Sequence, residues 1–173
     1  MRMRPALAAS AAAALTVLLT ATGASAAVSA PAAAALCREG SVDVTATRSG
    51  AANVVRISIT NEGGRACVVD HIPTVTFGDL DGAAQPVPPA ESAPYRLAAG
   101  TSAYAAVRTV DPAAEDDRTV AYITVAGDPS HLGARFYAAS LGWPAGIRVW
   151  EPVTTLWQPT SAKADAALAN AGR

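Results

Sequence analysis

The chain has 173 residues, 51% of them hydrophobic, 16% charged, with a formal charge of −1 and only two Cys and two His. Forty-three residues are alanine, 22 of them outside positions 36–160, so about 125 residues remain to build one domain with a single core. The near-neutral charge argues against a nucleic-acid binder, which carries a basic excess, and two histidines leave few routes to a metal site or a nucleophile–base pair.

Arg2 and Arg4 open the sequence, an apolar run follows from Pro5 to Ala21, and Ala24-Ser25-Ala26 closes it. This is the layout of a cleaved export signal over residues 1–26, with the cut expected between Ala26 and Ala27. Ala30 is a second candidate, but the Pro31 that follows hinders cleavage. The apolar run is at the short limit for a membrane anchor. Leu36, just before Cys37, is too bulky for a lipidation signal, so no membrane span or lipid is expected after processing. Loss of Arg2 and Arg4 takes the formal charge to −3. Residues 27–35 are Ala-, Ser- and Pro-rich and read as a flexible linker.

From 36 to 158 the punctuation is that of an all-β domain, with short alternating runs bounded by Gly, Pro, Asn and Asp. Ser41–Thr47 and Asn53–Thr60 alternate apolar with polar residues. Val68–Phe77 reads as a third strand, with Pro73 marking an edge, a bend or a bulge within it. Asp81-Gly82 signals a tight hairpin. Pro86-Val87-Pro88-Pro89 has too few N–H donors for anything but an edge or loop. Tyr95–Leu97, Ser102–Val110, Thr119–Val125, Phe136–Ala138, Gly146–Val149 and Val153–Trp157 supply the rest. Seven to nine short strands without a long amphipathic helix predict an immunoglobulin-like antiparallel β-sandwich, with a closed barrel as the other solution. The Ala-rich tail, 159–173, reads as frayed, because so short a helix is marginal alone.

Pairing the first two runs as a hairpin makes opposed residue numbers total about 101–104, and Cys37 and Cys67 total 104. The pairing that joins the strands therefore brings the cysteines together, and export makes a structural disulfide chemically sensible.

Several features from Cys37 to Pro152 resemble one known family. They are Cys37 ahead of the first strand, Thr60-Asn61 at a strand end, Cys67-Val68-Val69 leading to Pro73, and Asp81-Gly82. Leu97 and Gly100 at a turn follow, and then Ile147, Val149 and Pro152. In this order they are similar to the actinobacterial exported family termed domain of unknown function 4232 (DUF4232). The resemblance implies an exported immunoglobulin-like module with a disulfide and implies no activity.

No nucleophile elbow, Ser-x-x-Lys, His-Glu-x-x-His or phosphate loop occurs, and no catalytic, cofactor-binding or metal-binding residue is assigned. Ser130 and His131 are sequence neighbours in a loop, where side chains usually diverge, and His71 lies beside a strand. Asp111, Glu115, Asp116 and Asp117 form an acidic run that matches no calcium-loop spacing.

The aromatic residues are more suggestive. Trp143, Trp150 and Trp157 all lie in the C-terminal third, behind Phe136 and Tyr137. With Val149 inward, alternation turns Trp150 outward, and Trp150 and Trp157 are expected to form a binding surface. The expected function is a secreted, non-catalytic binding or structural module of the cell envelope, needing no cofactor, with an envelope protein or glycan as partner. The alternatives are a glycan-binding module built on the tryptophans and a hydrolase assembled from distant loops.

Overall fold

A computed structural model describes residues 34–171, except residue 112. The expected signal, the Ala26–Ala27 cut and all but the last two residues of the 27–35 linker lie outside the described residues. In chain order the strands are β1 (Val42–Arg48), β2 (Val54–Asn61), β3 (Cys67–Asp70), β4 (Thr74–Phe77), β5 (Gln85–Val87) and β6 (Pro94–Leu97). They continue with β7 (Ser102–Arg108), β8 (Arg118–Val120), β9 (Tyr122–Ala126), β10 (Ala134–Tyr137), β11 (Ile147–Val149) and β12 (Val153–Thr155). One helix, α1 (Ser161–Asn170), follows.

The expected all-β sandwich is present, with more and shorter strands than seven to nine. One layer is a five-stranded sheet ordered β1-β2-β7-β12-β5, and three smaller sheets pair β10-β9-β4, β11-β8 and β3-β6. β1 and β2 form the expected hairpin, with Val44 opposite Ile59. All pairings between strands are antiparallel except β12 with β5, which is parallel and corrects the wholly antiparallel expectation.

The extra strands come from corners. Val68–Phe77 is two strands, not one, because Pro73 cannot donate to a ladder and the chain changes sheets there. Thr119–Val125 likewise divides at Ala121: the residues before it pair with β11, and those after it pair with β10 and β4. Asp81-Gly82 does turn the chain, with Gly82 at φ +90°, but inside a longer connection that brings Ala83 opposite Thr76. Pro86 lies in β5, the last strand of the five-stranded sheet, and the Val87–Pro88 bond is cis.

Period-two alternation sorts the side chains. Val55, Ile57 and Ile59 of β2 and Ala103, Ala105 and Val107 of β7 face inward. They share one core with Val75, Phe77, Ile123, Val125, Ile147 and Val149 from the smaller sheets. Gly127 shows how tight this is, since a Cβ there would lie 2.3 Å from Ile59 Cδ1. At one end of the sandwich the Cys37–Cys67 disulfide is formed and buried. Beside it the fully buried Asn61 donates through Nδ2 to the carbonyls of Arg65, Leu97 and Ala98 and accepts from Gly63 N–H. Both of its amide N–H groups and its carbonyl oxygen are thus engaged, tying two loops together.

The tail is not frayed. Thr160 caps α1 by accepting from Lys163 N–H, and Ala164 and Leu168 bury themselves on the outer face of the five-stranded sheet. That second core holds Val54 and Ala106, flanked by Val87, Tyr104 and Val153. Arg56 donates to both carboxylate oxygens of Asp165 and fastens the helix sideways. Low intrinsic helicity is thus overridden by packing. Leu168→Ala is expected to cost about 2 kcal/mol, at the low end for a Leu truncation. Amide exchange should then speed up across Ser161–Asn170 while the strands stay protected, a pattern hydrogen-exchange NMR reads directly.

Candidate functional site

The link between β11 and β12 carries the chain from one layer to the other, and Trp150 sits on it. Val149 anchors the preceding position in the core. Trp150 N–H donates to the Thr109 carbonyl and its own carbonyl accepts from Asp111 N–H, so both of its backbone groups are tied to the segment around Val110. Its indole is 37% exposed, as alternation from Val149 requires. The next residue, Glu151, is in the left-handed region at φ +45°, a conformation that costs a non-glycine residue about 1–2 kcal/mol.

Trp150 and Glu151 form one wall of an open cavity of about 390 Å³. Phe77 and Leu80 give it an apolar floor, and Asp81 and Arg118 bring charge to the rim. A second hollow on the far side of Trp150, lined by Asp111, Glu115 and Asp116, shares both residues. The indole therefore stands as a ridge between two concavities.

The acidic run does not converge. Asp111 accepts from Arg108 and from Ala113 N–H, whereas Asp117 binds Arg148 across the β8–β11 pair. The Arg148 hydrogen bond holds the Asp117 carboxyl below its usual range; desolvation opposes this and the guanidinium charge assists it. Among the described residues, no three His, Cys, Asp or Glu groups gather as a metal site would require.

The other two tryptophans are elsewhere. Trp157, expected on the surface with Trp150, is 3% exposed and belongs to the core. The reason is backbone pairing beyond β12: Trp157 N–H donates to the His71 carbonyl and Gln158 bridges Tyr104, which turns the indole inward. Trp143 packs against the same core, with the Arg48 guanidinium 5.3 Å from its ring centre. No coplanar row of indoles exists among the described residues.

Further aromatic exposure lies on β9 and β10, where Tyr137 has Tyr122, which the sequence did not single out, as its partner. Tyr137 is exposed and meets Tyr122 edge to face at 6.0 Å, with Arg135 stacked 4.1 Å over the Tyr122 ring. Tyr122 O–H donates to Asp79, which, with some desolvation, raises its pKa. The period-two positions of Tyr122 and Tyr137 could have revealed this pair once their strands were matched.

Both histidines sit near a serine and an aspartate, and in neither case does the order suit nucleophilic catalysis. Ser92 Oγ donates to Asp70, while the neighbouring His71 has a buried Nε2 without a partner. Ser130 Oγ donates to Asp128 at 2.6 Å in a tight turn next to His131. Desolvation alone would raise Asp128, but the Ser130 hydroxyl and amide, with His131, bring it below its usual value. A triad needs the imidazole between hydroxyl and carboxylate; here the hydroxyl is spent on the carboxylate itself.

A family model described as Domain of unknown function (DUF4232) matches residues 37–158. No curated protein and no solved structure matches the chain.

Proposed function

Because the chain belongs to the DUF4232 family, for which no function is assigned, its role has to come from its own surface, and we propose an exported, non-catalytic binding module of the cell envelope that holds its ligand against Trp150. The observation that carries this reading is the Trp150 indole itself. It is exposed on the rim of a 390 Å³ cavity, and both its backbone N–H and its carbonyl are bonded to the segment Thr109–Asp111. An exposed indole on a rigid support offers a broad apolar face and one N–H donor with little entropy to lose. The strained backbone of Glu151 beside it supports the same reading, since such strain concentrates at functional sites.

Export is supported by the Arg2–Ala26 signal layout and by the disulfide, a bond at home in oxidising compartments. No described helix is long and apolar enough to cross a membrane. The cavity admits one side chain or one sugar ring. A single exposed indole suits an envelope protein better than an extended glycan, which would use a row of them.

The test is Trp150→Ala in the mature chain, assayed for sedimentation with isolated cell envelopes. Binding should fall at least tenfold while the melting temperature drops by no more than about 3 °C, because a surface aromatic contributes little to the core. Unchanged envelope binding by the variant would overturn the assignment. So would a loss of several kcal/mol in stability, which would make Trp150 a core residue.

A further inference from the structure

The outer face of the five-stranded sheet holds a second, separate cavity of about 420 Å³, where β2 and β7 meet the end of α1. In the β2–β7 register Val54 stands opposite Arg108 and Arg56 opposite Ala106. Arg56 and Arg108 are therefore diagonal neighbours on one face, and both line this cavity. Two like charges so placed repel unless acceptors lie between them.

The acceptors present are incomplete. Arg56 gives Nε and Nη2 to Asp165, and Arg108 gives one Nη2 to Asp111 at 3.0 Å. A guanidinium has five N–H donors, so Nη1 of both residues is uncommitted. Arg108 Nε is in addition buried and has no hydrogen-bond partner. Buried donors are almost always paired, so the Arg108 guanidinium is under-satisfied and has donor capacity to spare. Ala51, Val54, Leu168 and Ala169 give the cavity an apolar side, and Ser49, Gly50 and the Asp165 carboxylate complete its lining.

We propose that this cavity between Arg56 and Arg108 binds a small monocarboxylate with an apolar body. The carboxylate takes the free N–H groups of the two arginines, and the body lies against Val54 and Leu168. The volume is at the low end for small-molecule sites, enough for a single ring or a short chain. The uncommitted donors suit a single carboxylate. The two arginines and their two aspartates sum to zero, so the anion is held by directed N–H donors rather than by net charge, and a second negative charge would find no partner. The strands come from the family domain, whereas the wall of Leu168 and Ala169 lies beyond the matched residues. The site is thus completed by α1.

The experiment is NMR of the isotopically labelled full mature chain, titrated with sodium benzoate and separately with neutral benzamide at constant ionic strength. Benzoate should give saturable shifts at the Val54 and Leu168 methyls and at Arg108 Nε–H, at least tenfold tighter than benzamide. Arg108→Lys, which keeps the charge and loses the planar donors, should weaken binding at least tenfold. Should that variant fold poorly, Ala51→Leu at the exposed turn should fill the cavity and abolish the shifts with the strands intact. No saturable shift, equal binding of benzamide, or displacement of benzoate by an equal concentration of inorganic phosphate would each overturn the proposal.

Discussion

Trp157→Ala is expected to lower unfolding free energy by about 3–5 kcal/mol, a large part of the stability of a domain this size. The indole is 3% exposed and touches a core built from both layers, so its removal leaves a cavity that close-packed strands cannot collapse into. The indole N–H adds nothing to this, because Trp157 Nε1 is buried without a hydrogen-bond partner. Trp157→Phe should consequently cost far less than Trp157→Ala: most of the ring packing survives and an unpaired donor is removed. Urea denaturation of the two variants separates these contributions. Equal losses in both would mean that indole shape or a hidden hydrogen bond, rather than apolar volume, matters at this position.

Replacing both cysteines by serine should remove about 3.5 kcal/mol through the entropy of the 30-residue loop that Cys37 and Cys67 close. For a domain of this length that corresponds to a melting temperature about 10–15 °C lower. The double variant is the right comparison, since a single change leaves a free thiol in the core. Both sulfurs are buried, so the serine hydroxyls also need partners, and the loss should not fall below the loop estimate. Asn61 holds the same loop by four hydrogen bonds and should keep the native arrangement populated. A calorimetric scan showing a shift under about 3 °C would mean that the reduced chain is already constrained at this end.

Much of this was legible in the residues. The β1–β2 hairpin and the disulfide follow from alternation and arithmetic alone, because a strand pair with one buried face admits only one register. Trp150 was placed correctly for the same reason, since Val149 one step earlier faces inward. At Pro73 the sequence signals an interruption but not a change of sheet, and at Ala121 the run Val120-Ala121-Tyr122-Ile123 gives no sign of a boundary; only sheet membership shows the change. Trp157 was misplaced because its orientation depends on pairing with His71 and Tyr104, which are distant in sequence. The helix was missed because two buried residues, Ala164 and Leu168, leave almost no periodic signal in an alanine-rich segment. Arg56 and Arg108 meet only through the β2–β7 register, so their cavity had no local signature.

The position of the disulfide also decides how the domain behaves under tension. A pull applied at residue 36 passes from Cys37 directly through the sulfurs to Cys67 and then into β3. The covalent loop between them, including β1, β2 and the Asn61 knot, is off the load path. Even with every strand torn apart, those 29 residues cannot be drawn out, which withholds roughly 100 Å of contour length at about 3.5 Å per residue. At the opposite end α1 is attached by two side chains and one ion pair, so a pull there peels the helix before it reaches β12. Tethered at both ends, the domain would yield first at its last ten-residue helix and retain its hairpin to the end.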